Sequence, residues 1–261
     1  MTQPDLSHLP TLLISDLHLQ DSRPDLTRAL MGFLDEYRGR CSQLFILGDL
    51  FEAWIGDDDP SALADEVAVA LADFASTGAK IALMHGNRDF LLGEAYAARC
   101  GARLMGEAEV ITSGLRPILL MHGDSLCTDD VGYQEFRSLV RQPAWQADFL
   151  GQPLAARHAF AAQARAQSRE ATSSKATEIM DVNQVAVQQV LVKHGVCDLL
   201  HGHTHRPKVH EFAFGGLPGE DEQPATRTVL GDWETSAWFA QIHAGEISLI
   251  KYNFQKFIAI I

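Results

Sequence analysis

Aspartate, histidine and asparagine recur in this chain in short groups set against glycine: Asp16-x-His18, Gly48-Asp49, Gly86-Asn87, His122-Gly123-Asp124 and Gly202-His203-x-His205. Carboxylate, amide and imidazole all donate to divalent cations. With no thiolate among them, the set suits Mn, Fe, Co or Zn better than a soft-metal site. Asp16, His18, Asp49, Asn87, His122, His203 and His205 are too many for one small ion but fit two ions that share a carboxylate. Two ions roughly 3.5–4 Å apart can bridge a water and lower its pKa towards about 7. Two carboxylates against two divalent charges leave a positive site that draws and polarises a phosphoryl group. The chemistry indicated is metal-assisted attack of water on phosphorus. No single group carries this reading, because a lone D-x-H or a histidine at a strand end is commonly structural. The ordered set is what is specific.

Each group follows a short apolar run: TLLIS, LFIL, IALM, PILLM and CDLL. Runs of this length, apolar on both faces, read as buried central strands. Helical patterns separate the first three, at Leu26 to Tyr37 and Ala62 to Phe74. Strand–helix alternation predicts crossover connections and an α/β fold. Functional residues then gather beyond the carboxyl ends of the strands. Asp16 and His18, and likewise His203 and His205, are two apart, so in extended chain each pair points one way. From Val209 onward, short apolar stretches between Gly and Pro turns read as strands closing the far side of a sheet.

Tyr133 to Lys175 fits no strand. It is rich in Ala, Gln and Arg, with breaks at Pro143, Gly151 and Pro153, and reads as a helical insertion. A helix is expected from about Ala176 to His194, with Ile179, Val182, Ala186 and Val190 on one face and Gly195 as its stop. The whole of 1–261 reads as one domain, with 131–180 inserted within it as a lid.

The chain has 261 residues, 46% of them hydrophobic, and a formal net charge of −13. So acidic a protein is not expected to bind nucleic acid, where phosphate neutralisation drives affinity. Residues 131–180 depart from this balance, with six Lys/Arg against four Asp/Glu. No run reaches the roughly 18 apolar residues of a membrane span. The start, MTQPDLSHLP, has neither the charged nor the apolar region of a secretory signal. Cys41, Cys100, Cys127 and Cys197 lack metal or redox spacing and are expected to be reduced thiols in a cytosolic protein. The acidic string Asp57-Asp58-Asp59 points its carboxylates in different directions and is expected to be a solvated turn.

The order D-x-H, G-D, G-N, H-G-D, G-H-x-H resembles the calcineurin-like metallophosphoesterases. The resemblance implies two mixed β-sheets stacked face to face, flanked by helices. Position by position, it gives one metal to Asp16, His18, Asp49 and His205. The other falls to Asp49, Asn87, His122 and His203, with Asp49 bridging. Most of that superfamily has His after the Asn, a proposed leaving-group acid; this chain has Arg88. Arginine stays protonated at neutral pH, so its expected role is to clamp phosphate oxygens as charge shifts. A leaving group that is itself a phosphate needs little protonation, so an anhydride substrate suits the exchange. Asp49, Asn87 and Arg88 are therefore the expected catalytic set.

The longer strings ISDLHL, ILGDLFEAWIGDDD, HGNRDFLLG, MHGDSLCTDD, SSK followed by IMDVNQ, and HGHTHRP resemble a narrower family, the lipid A pathway diphosphatases that act on UDP-2,3-diacylglucosamine. That resemblance implies hydrolysis of its pyrophosphate to UMP and 2,3-diacylglucosamine 1-phosphate (lipid X). It also implies two Mn²⁺ per chain and a peripheral place on the cytoplasmic face of the bacterial inner membrane. It assigns substrate contacts to Asn87, Arg88, Asp130, Ser168, Thr172, Lys175 and His203. Ser168, Thr172 and Lys175 would share one helix face. The family commonly has Asn where Thr172 stands, so a shorter side chain would make that contact. Trp145, Phe149, Leu150, Leu154 and Phe160 would line an acyl groove, touch lipid or pack the insertion onto the core. Phe51, Trp54, Phe90 and Leu91 could face the substrate or wall off the core. The alternatives are a phosphoesterase acting on a water-soluble ester or nucleotide, which would need no such insertion, and a non-catalytic scaffold, which should have lost ligands.

Overall fold

In the computed structural model, residues 6, 8–112, 116–174, 181–215, 222–234 and 236–253 are described, with the side chains of 169 and 171–174 excepted. The five apolar runs are strands: β1 (Thr11–Ile14), β2 (Gln43–Leu47), β3 (Lys80–Met84), β6 (Pro117–Met121) and β7 (Asp198–His201). Helices α1 (Pro24–Tyr37) and α2 (Ala62–Ala75) make the first crossovers. Pro24 starts α1 and Ser61 caps α2 by accepting from Ala64 N. A short helix, α3 (Glu94–Arg99), leads to β4 (Ala102–Leu104) and β5 (Ala108–Thr112).

The strands form two mixed sheets. One has the order β11-β10-β1-β2-β3-β4, where β10 is Ala237–His243 and β11 is Glu246–Tyr252. The other has the order β5-β6-β7-β9-β8, where β8 is Lys208–Phe214 and β9 is Gln223–Val229. β1 to β4 pair in parallel, as do β6, β7 and β9. Side chains alternate across each strand. Leu13, Phe45, Leu47 and Met84 of the first sheet meet Ile118, Leu120 and Leu200 of the second in one buried layer. Leu12, Ile14, Leu44 and Ile46 face the other way, onto α1 and α2. Leu119, Met121 and Leu199 face Val187 and Leu191 of α7 (Gln184–His194). The α/β sandwich expected from the sequence is the fold.

Two expectations are corrected. The C-terminal strands do not close one sheet. β8 and β9 extend the second, while β10 pairs antiparallel with β1 and β11 extends that edge. Alternating apolar patterns specify which faces are buried, but not which edge a strand joins. Nor does a helix run unbroken from Ala176: α7 starts at Gln184, where Asn183 Oδ1 accepts from Val185 N and Ala186 N. Its buried stripe is Val187 and Leu191, with Val182, Ala186 and Val190 part-buried beside it. Ile179 lies outside the described residues. Gly195, at φ +65°, ends the helix as expected.

The helix-rich stretch after β6 contains α4 (Val131–Val140), α5 (Pro143–Leu150) and α6 (Leu154–Ser174). The breaks fall at the prolines and at Gly151. Among the described residues, no helix is long and apolar enough to cross a membrane.

Candidate metal centre

The carboxyl ends of β1, β2, β3, β6 and β7 converge. The loops there are stitched by backbone: Asp16 N donates to Gly48 O (3.1 Å), His18 N to Asp49 O (3.0 Å) and Gly202 N to His122 O (2.9 Å). Gly86 and Gly202 allow the close approach, because a Cβ on either would collide with the carboxylate of Asp49 or Asp16. Asp16, His18, Asp49, His203 and His205 all have φ between 50° and 67°. This left-handed region is costly for non-glycine residues, and such strain concentrates at functional sites. It also corrects the extended-chain argument for the D-x-H and H-x-H pairs. Their side chains do reach a common site, but from left-handed turns.

The donor atoms form two groups about one oxygen. His18 Nε2 lies 3.8 Å from Asp49 Oδ2 and 3.3 Å from His205 Nε2, which is 3.4 Å from Asp16 Oδ1. On the other side, His122 Nε2 lies 3.7 Å from Asp49 Oδ2. Asn87 Oδ1 is 3.1 Å from His122 Nε2 and 2.9 Å from His203 Nδ1. All seven predicted ligands are therefore together, with Asp49 between the halves.

The residues fit a pair of divalent cations. Asp16 is fully buried; its Oδ2 accepts from Ser15 Oγ and His203 N, while Oδ1 has no hydrogen-bond partner and faces the imidazoles. Asp49 Oδ1 accepts from Arg88 N (2.8 Å), leaving Oδ2 for the centre. His122 Nδ1 donates to Leu47 O (2.8 Å), which fixes its tautomer and points the Nε2 lone pair inward. Burial, helped by the charge of His122, pushes His203 down to about 4, so its ring is neutral and able to ligate. Burial opposes protonation of His205, but the Asp16 carboxylate 3.4 Å away and the charges of Asp232 and Asp49 raise it to about 9.

Supporting residues escaped sequence reasoning. Asp89, buried at 1% exposure, accepts from Asp49 N, Leu50 N and Gly86 N and so locks two ligand loops together. The signal was its place two residues after Asn87. Glu52 Oε2 is 3.1 Å from His18 Nδ1, and Asp232 Oδ2 is 3.6 Å from His205 Nδ1. Buried Asp124 accepts from Tyr133 Oη (2.6 Å) and Arg137 Nε (2.8 Å), and the Tyr133 ring stacks on His203. Residues that serve by holding others carry no ligand spacing, which is why the sequence hid them.

The sequence model of the calcineurin-like phosphoesterase family matches residues 9–207, a span that runs from β1 through the last ligand. The chain belongs to the calcineurin-like phosphoesterases. Within that family, it is 51% identical over 243 residues to a UDP-2,3-diacylglucosamine hydrolase of Cellvibrio japonicus, covering 93% of this chain and 99% of that one. It is 46% identical over 246 residues to a protein of the same name from Escherichia coli O7:K1, covering 94% and 100%. Family membership makes this chain a metal-dependent hydrolase.

A cleft of about 890 Å³ opens over this donor cluster. Its floor includes His18, Asp49, Asn87, His203 and His205, and Arg88, Asp130 and Ser168 stand on its walls. Asp130 also caps α4, accepting from Tyr133 N. Thr172 lies on α6, with its side chain outside the described set, and Lys175 lies outside the described residues. Trp145, Phe149 and Phe160 line the cleft, together with Trp54, Phe90 and Leu91. Leu154 instead packs with Ile55 and Phe149, Leu150 is exposed, and Phe51 belongs to the core under the first sheet.

Asp57-Asp58-Asp59 is a turn with Asp58 exposed, as expected, but its carboxylates are engaged by protein groups. Asp57 accepts from Trp54 Nε1, Gly93 N and Tyr96 N. Asp58 pairs with Arg157, a buried guanidinium that also donates to Ile55 O, and Asp59 pairs with His158. Diverging carboxylates let Asp57 hold the start of α3 while Asp58 and Asp59 tie α6 to the core.

Proposed function

We propose that this chain hydrolyses the pyrophosphate bond of UDP-2,3-diacylglucosamine, releasing UMP and 2,3-diacylglucosamine 1-phosphate. The observation that carries this reading is the cleft itself, which has the donor cluster as its floor and aromatic side chains of an inserted helical segment as its wall. A phosphate anhydride joined to acyl chains needs both surfaces at once. The names of the relatives at 46–51% identity agree with it.

In this proposal Asp16, His18, Asp49 and His205 hold one ion, and Asp49, Asn87, His122 and His203 hold the other. Such a pair, when bound, supplies activation of water and polarisation of phosphoryl oxygens. We assign both ions as Mn²⁺, in keeping with a donor set of oxygen and imidazole without thiolate. The chain's own contributions are positional and electrostatic. Arg88, on the cleft wall, presents a planar guanidinium to the phosphate oxygens, where charge increases as the bond to the leaving phosphate breaks. Asn87 and His203 orient the phosphate above the floor. Asp130 and Ser168, with Thr172 and Lys175, receive the glucosamine phosphate head. Residues 131–180 act as a lid within a single domain spanning 1–261, and Trp145, Phe149 and Phe160 meet the acyl chains.

The proposed setting is peripheral, on the cytoplasmic face of the bacterial inner membrane. It is supported by exposed apolar side chains on the helical segment, among them Phe136, Leu139, Leu150 and Phe160. The test is UMP release from UDP-2,3-diacylglucosamine in mixed micelles, with and without Mn²⁺. Metal-dependent release is expected. Absence of release, alongside hydrolysis of a water-soluble phosphodiester, would transfer the activity to another substrate of the same centre.

A further inference from the structure

Glu52 stands where the donor cluster and the inserted helix α6 meet. The loop after β2 runs alongside the loop after β1: Leu19 N donates to Leu50 O (2.9 Å) and Glu52 N to Leu19 O (3.1 Å), with a parallel bridge between Leu19 and Phe51. This pairing carries Glu52, three residues after Asp49, to the outer side of His18. Its Oε2 lies 3.1 Å from His18 Nδ1, while His18 Nε2 faces Asp49 and His205. Its Oε1 pairs with Arg165 Nη2 on α6. One carboxylate therefore touches a floor histidine and the inserted helix together. Neither group is solvent-screened like a surface pair, since the Glu52 side chain is 24% exposed and that of Arg165 15%.

We infer that Glu52 is a positioning residue that sets the tautomer of His18 and couples occupancy of the first metal position to the docking of α6 through Arg165. The inference rests on the reading of His18 as a ligand. The negative charge of Glu52, 3.1 Å from Nδ1, favours the tautomer that carries the ring proton on Nδ1 and so leaves the Nε2 lone pair for the ion. Loss of such an outer partner typically costs about 10–100-fold in metal affinity or activity. The same carboxylate is best aligned when Arg165 holds its other oxygen, so an ion that orders His18 and Glu52 also favours the docked helix. Linkage makes the effect reciprocal. The far end of α6 is held independently, by Arg157 on Asp58 and His158 on Asp59. The coupling should therefore be local to the turns around Arg165.

The experiment uses the full chain and Mn²⁺ as the probe. Binding is measured by equilibrium dialysis with elemental analysis, and α6 is followed by amide hydrogen exchange with and without Mn²⁺. Glu52→Ala should weaken the first Mn²⁺ about 10–100-fold. Glu52→Gln, which keeps an acceptor for His18 Nδ1 and the side-chain volume, should recover most of that affinity but not the Arg165 tie. In the wild type, Mn²⁺ should increase protection near Arg165 and leave the turn at Arg157 unchanged; in Glu52→Gln and Arg165→Ala that increase should vanish. If Glu52→Ala and Glu52→Gln both bind Mn²⁺ within twofold of the wild type, the positioning role is overturned. If Mn²⁺ leaves protection near Arg165 unaltered in the wild type, the coupling is overturned. Failure of the underlying metal reading looks different: the wild type and Asp49→Ala would then bind Mn²⁺ alike.

Discussion

The floor of the cleft and its helical wall are built on opposite principles. The floor consists of five strand ends whose loops hydrogen-bond to one another through backbone. Glycines there have no room for a Cβ, and ligands are held in left-handed turns. The wall is docked by a small apolar group around Ile55, Leu91 and Phe149 and by side-chain ties from Arg157, His158 and Arg165. A centre that must hold donors to within fractions of an ångström needs backbone precision. A surface that meets flexible chains needs area and can tolerate adjustment. Reaction and substrate choice should therefore be separable by mutation.

The largest effect should come from the floor. Asp49→Ala removes the oxygen that faces both donor groups, so activity should be lost and bound Mn²⁺ should fall below one ion per chain by elemental analysis. Two tightly bound ions with near-normal turnover would break the assignment of Asp49 as the bridge.

Arg88→Ala comes next. The contact to Asp49 Oδ1 is made by the backbone N of residue 88, so metal content should stay intact. kcat/KM should drop about 10²–10³-fold, the usual loss for one transition-state donor. Arg88→Lys should recover part of this, because a point charge lacks the planar fork. A fall of less than threefold in the alanine variant would count against the clamp.

The wall is probed by the substrate. UDP-N-acetylglucosamine carries a comparable anhydride without the long chains, and each buried CH₂ contributes roughly 0.8 kcal/mol. Energy from the chains would also position the anhydride, so kcat as well as KM should suffer. Hydrolysis with kcat/KM within tenfold of the diacyl substrate would show that the wall does not read lipid, leaving the phosphorus chemistry untouched.

The smallest effect should come from the tie at Asp58. Its side chain is 62% exposed, so water screens the pair on that side and holds it to about 0.2–1 kcal/mol, while the buried Arg157 keeps its hydrogen bond to Ile55 O when Asp58 is removed. Asp58→Ala should raise KM for the diacyl substrate by roughly twofold to fivefold, with Mn²⁺ content unchanged. Loss of Mn²⁺ in this variant would mean that wall and floor are not separable.

Much of this was legible in the chain. Buried strands must be apolar on both faces, so TLLI, LFIL and PILLM announce themselves. Ligands that follow directly at strand ends share one edge of an α/β layer. Pro143, Gly151 and Pro153 place helix breaks by local chemistry. Asn183 has the chemistry of a cap, but the helix-forming residues before it drew the expected start of α7 too early.

The sequence by itself determined which residues could be donors, where they leave their strands, and that Arg88 replaces a proton donor with a fixed charge. These are properties of residue type and short-range spacing. The tertiary structure decided that Asp16 and His18 meet through left-handed turns and that β10 seals the edge beside β1. It alone decided that Asp57-Asp58-Asp59 grips both α3 and α6, and that Glu52 joins His18 to Arg165, which lies 113 residues beyond Glu52. Strand-edge choice and long-range side-chain pairing depend on how surfaces distant in sequence come to pack, and no local pattern records that.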